Sequence, residues 1–164
     1  VGIGVDHHEG LGDPNTISYA GNVILKEVTC SVLPKNLTVN LGDFPLSDFI
    51  SVGMLSSPAR NFDVTVNCNS TVQPEVKITS SNGYETAFEG VLKLTQQTGV
   101  ATGVGVRMLF DDNIATFDTY VNTRSEAIAN ETLTIPFEVR YEQVSDVVTP
   151  GPANTVATIT LAYK

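Results

Sequence analysis

Two cysteines, Cys30 and Cys68, are the residues best suited to covalent chemistry in this 164-residue chain. They do not form a CxxC pair, and no histidine stands at metal-ligand spacing from either, so the pattern is not that of a zinc site. Both lie at the ends of strand-like runs that could be neighbours, which favours a disulfide; two buried free thiols are the alternative. A disulfide implies an oxidising compartment, and closing the 38-residue span is worth roughly 4 kcal/mol on the loop-entropy account.

The other reactive side chains do not assemble into a set. His7 and His8 are adjacent, so their side chains diverge, and no third ligand is fixed nearby; no metal is expected. Asp111-Asp112-Asn113 has the look of a calcium loop but lacks the further oxygen ligands and the distal glutamate, and it reads as a hairpin turn. Asp43 and Asp48, with Ser47 between them, have no histidine or second polar cluster to work with. With no nucleophile, base and orienting group in sight, we expect neither an enzyme nor a cofactor. The triplets at Asn36, Asn69 and Asn130 match glycosylation acceptors.

Charge narrows the partners. The net charge is −9, and the 9 Lys and Arg are scattered without a basic run, so nucleic acid is not an expected partner. No apolar run approaches the length that spans a bilayer, and no charged segment followed by an apolar one opens the chain, which therefore reads as starting at a mature end.

The elements that must position these residues are strands. Only 16% of residues are charged, Trp is absent, and 8 Pro and 13 Gly are spread along the chain, as suits short strands between turns. Residues 1–15 are polar and Gly-rich and read as a flexible arm. Alternation begins at Thr16, with Ile17, Tyr19, Gly21, Val23 and Leu25 on one face. It recurs at Leu37, Val39 and Leu41. Residues 44–60 follow as a loop with a short helical turn at most.

Further strands are expected at Phe62–Cys68, at 75–81 up to the turn dipeptide Asn82-Gly83, at Leu92 and Leu94, at 104–110, and as one segment within 114–122. The longest alternation, 131–144, puts Leu133, Ile135, Phe137, Val139 and Tyr141 on one face; Pro136 within it calls for an edge position or a bulge. The last strand alternates Ala157, Ile159, Leu161 and Tyr163. About eight such strands without a helical pattern make one all-β domain, a sandwich of immunoglobulin-like type that buries roughly 70% of its unfolded surface.

Taken together, the alternating strand with Gly21 in its face, the cysteine soon after it, the second about forty residues on, and the phrases GVGVRMLF, TIPFEVRYE and VTPGPANTVATITLAYK in that order resemble one family. These are the pilins of the bacterial chaperone-usher pathway, of the type 1 and P pilus kind, and the likeness covers residues 16–164. Tyr163 stands at the penultimate position, where such subunits typically carry Tyr. The front of the chain departs from the pattern, since residues 1–15 make a longer arm than such a subunit has.

The resemblance implies an incomplete immunoglobulin-like sandwich lacking its last strand, completed by a donor strand from another subunit or a chaperone. It implies an N-terminal extension at 1–25, arm plus donor strand, and a pilin domain at 26–164. The donor face would be Ile17, Tyr19, Gly21, Val23 and Leu25; a bulge at Gly21 in the chain's own strand is the alternative. The strand gripped by a chaperone and forming the groove edge would present Ala157, Ile159, Leu161 and Tyr163, with the carboxylate on Lys164. The implied partners are neighbouring fimbrial subunits, a periplasmic chaperone and an outer-membrane usher, and the implied place is a cell-surface fimbrium reached through a Gram-negative periplasm. A tip adhesin's pilin domain, with receptor binding carried by a missing N-terminal domain, is the rival reading.

Overall fold

The computed structural model describes residues 27–163. In chain order the strands are β1 (Cys30–Leu33), β2 (Arg60–Cys68), β3 (Pro74–Thr79), β4 (Val91–Leu92), β5 (Val104–Phe110), β6 (Asn113–Ile114), β7 (Val121–Asn122), β8 (Thr132–Gln143) and β9 (Thr158–Tyr163). One 3-10 turn, Leu46–Asp48, is the only helical element among the described residues. The larger sheet runs β1-β2-β8-β5-β4, with β6 hairpinned onto β5; the smaller runs β7-β3-β9. All named pairings are antiparallel.

Alternation explains the packing. Val64 and Val66 of β2, Val106, Met108 and Phe110 of β5, and Ile135, Phe137 and Val139 of β8 turn the same way and meet Val76 and Ile78 of β3 between the sheets. Phe137 is the hub, stacked on Phe62 at 5.0 Å and tilted against Phe110 at 5.5 Å. Each such side chain contributes about 1.5–3 kcal/mol when fully withdrawn from water. The fold is thus the expected all-β, two-sheet sandwich.

Several boundaries differ from the sequence reading. Residues 34–45 form no strand: Val39 and Leu41 pack on the core, while Leu37 stays exposed. Leu94 is buried as expected, but β4 stops at Leu92 because Lys93 N–H donates to Gly83 O and Thr95 N–H to Asn154 O, two different partners. The segment expected as one strand at 114–122 is two short ones in different sheets. The chain crosses between sheets there, with Asp118 in the left-handed region at φ 59°.

Pro136 is the sharpest correction, for β8 is the central strand of its sheet and has neighbours on both sides. Its position is tolerable because β5 has just ended. Asp111 N–H donates to Pro136 O at 2.9 Å, and the return bond would need an N–H at 136. Asp111 O instead accepts from Arg124 Nη2 at 2.8 Å and Asn113 Nδ2 at 3.1 Å. Asp111 and Asp112, at φ 52° and 66°, form the two-residue turn between β5 and β6, so the acidic triplet is the hairpin turn its spacing suggested.

Candidate functional site

Cys30 and Cys68 are directly opposite in the β1–β2 register, 4.0 Å apart at Cα, and are joined in a disulfide. The bridge fastens β1, the outermost strand of the larger sheet, to β2. Among the described residues nothing pairs with the far edge of β1. The same holds for β9: it lies along β3 from Pro74↔Tyr163 to Thr79↔Thr158, and its other edge has no strand against it.

Among the described residues these two free edges come together at one end. Tyr163 Oη donates to Val28 O at 3.0 Å, so the end of β9 reaches the chain entering β1. Beyond that contact the core is only partly covered, with Val32 of β1 and Ile159 and Leu161 of β9 half-buried against it. Neither strand carries a charged residue, CSVL on one side and TITLAY on the other. Free edges are ordinarily blunted by Lys, Pro or a covering segment. The opposite flank is managed in that way: β4 has only two residues and is covered by residues 83–85, with Glu85 N–H donating to Val91 O at 3.0 Å.

Of the residues singled out from sequence, Ile159, Leu161 and Tyr163 sit together on β9, Tyr163 buried and the other two half-buried. Ala157 precedes the strand and is exposed, so the alternating face starts at Ile159. Ile17, Tyr19, Gly21, Val23, Leu25, His7, His8 and Lys164 lie outside the described residues. Asp43, Ser47 and Asp48 are exposed on one loop. Among the described residues no group of three His, Cys, Asp or Glu gathers as a metal site. Sequence reasoning missed Val28 and Val32. The signal was present, since the in-out pattern of β1 already runs through 27–33.

A two-sheet, immunoglobulin-like sandwich open along one flank defines a pilin fold. In keeping with this, the P pilus rod subunit PapA superimposes with a TM-score of 0.64 over 82% of this chain and 99% of its own, at 16% identity. The family described as fimbrial protein matches residues 17–164, and the chain belongs to that family. It is similar to the fimbrial subunit type 1 of Salmonella typhimurium, 26% identical over 93% of this chain and 88% of that protein. It is also similar to the type-1 fimbrial protein A chain of Escherichia coli, 29% identical over 91% and 82%. The chain is accordingly a structural subunit of a cell-surface fimbria, assembling with other subunits.

Proposed function

We propose that the subunits are linked by donor-strand exchange. Residues 16–25 of one subunit enter the gap between β1 and β9 of the next, with Ile17, Tyr19, Gly21, Val23 and Leu25 facing the core and the strand's backbone pairing with the free edges. The single observation that supports this best is the uncharged edge of β9, unpaired among the described residues, above half-covered Ile159 and Leu161. An extended segment there gains main-chain hydrogen bonds and buries apolar side chains at about 1.5–3 kcal/mol each. Residues 1–25 then act as the extension and 26–164 as the domain that receives one.

Before assembly the same edge is taken by a periplasmic chaperone, which anchors the carboxylate of Lys164, and an outer-membrane usher exchanges it for the incoming subunit. The route runs through the periplasm of a Gram-negative cell. Within this role the chain performs no catalysis. Deleting residues 1–25 from the full chain tests the reading: assembly is expected to stop, and fibres formed by the truncated chain without added peptide would show that the link lies elsewhere.

A further inference from the structure

Strand β1 begins at Cys30, but the alternating burial that defines it starts three residues earlier, with Val28 packed on the core between exposed Glu27 and Thr29. The ladder has run out there because β2 ends at Cys68. One side chain continues it. Asn69 Oδ1 accepts from Thr29 N–H at 3.0 Å, Asn69 Nδ2 donates to Glu27 O at 2.8 Å, and Asn69 N–H donates to Thr29 O at 3.0 Å. A carboxamide carries donor and acceptor on one planar group, so it stands in for the missing peptide unit. Asn130 N–H donates to Cys68 O at 2.8 Å and fixes the support from which Asn69 reaches.

The other side of the segment is held as well. The carbonyls of Glu27 and Thr29 point toward Asn69, while that of Val28 points the opposite way and accepts from Tyr163 Oη at 3.0 Å. Three consecutive residues at the N-terminal end of the described chain are thus gripped from both edges and by one half-buried side chain, Val28. A plain linker needs no such grip.

We propose that Asn69 and Tyr163 form a two-sided clamp on residues 27–29 that fixes the direction in which the N-terminal segment leaves the domain, and so sets the angle and stiffness between linked subunits. This rests on the donor-strand reading above. Asn69 is a positioning residue outside the gap, so its effect is on how subunits are held and not on whether they join. Each hydrogen bond lost shifts the balance between held and released root by about fivefold.

The test assembles fibres from the full chain with Asn69→Ala and measures their persistence length in electron micrographs, beside the subunit's thermal midpoint. Expected are fibres that form with the ordinary subunit repeat but bend severalfold more easily, with Asn69→Asp intermediate because it keeps the acceptor for Thr29 and loses the donor to Glu27. Fibres as stiff as the parent's overturn the clamp, whatever the midpoint does, since a merely structural role lowers only the midpoint. Should Asn69→Ala not fold, Asn69→Asp carries the same readings. Assembly by a chain lacking residues 1–25 overturns the donor-strand reading itself, and the clamp with it.

Discussion

Strands β8 and β9 follow the same alternating rule and end up in different circumstances. β8 has a neighbour on each side, and Ile135 and Phe137 keep only 1% and 2% of their surface. Among the described residues β9 has one neighbour, and Ile159 and Leu161 remain half-buried although their partners on β3, Ile78 and Val76, keep only 1% and 2% of their surface. Period-two patterning therefore states which face turns inward. How far the burial goes depends on how many strands stand beside it.

The contrast can be broken most directly by truncating one apolar side chain on each strand. Phe137→Ala in β8 removes the aromatic hub and is expected to cost about 3–5 kcal/mol. Leu161→Ala in β9 is expected to cost about 1–2 kcal/mol while the gap is empty, and more once a strand fills it. Denaturant unfolding with and without a peptide of residues 16–25 checks both. Equal losses for the two variants would mean that β9 is already as enclosed as β8.

Replacing Cys30 and Cys68 together with Ser comes next, at roughly 4 kcal/mol on the loop-entropy account and less if the reduced chain retains structure. The loss is expected to appear as early fraying of β1, with faster amide exchange at Val32 than at Ile135; uniform acceleration would place the bridge's effect on the whole sandwich.

The smallest effect lies on the outer face of β8. Burial pushes the Glu142 carboxyl above the ordinary 4.5, against a weaker opposing pull from Arg107. A carboxyl raised in the folded state binds its proton more tightly there, so its ionisation weakens the fold as pH climbs from the ordinary value through the raised one. Glu142→Gln is expected to be more stable than the parent at pH 7 and equal to it well below 4.5. A gap of the same size at both pH values would assign the effect to something other than ionisation.

Much of the closed flank was legible. The inward faces of β2, β5 and β8, the turn at Asp111-Asp112 and the disulfide follow from alternation, turn chemistry and the placement of two cysteines. What was hidden depends on partners distant in sequence. Val39 and Leu41 alternate because they touch the core, yet among the described residues no strand lies alongside to make residues 34–45 a strand. Pro136 sits in a central strand because its neighbour turns away one residue earlier, which no local pattern records. Of the open flank, the face of β9 was legible from Ile159 onward, but the role of Asn69 was not; its sequence context suggests only a glycosylation triplet.

The difference in edge length between the two flanks has a further consequence. Among the described residues nothing covers this uncharged six-residue strand, and such an edge pairs with an extended chain of suitable pattern, including an unfolded copy of itself. An unaccompanied subunit is therefore expected to be a perishable intermediate, lost to off-pathway clumping at a rate that rises with concentration. The two-residue strands elsewhere confine that hazard to one flank, so a single occupant is enough to quench it.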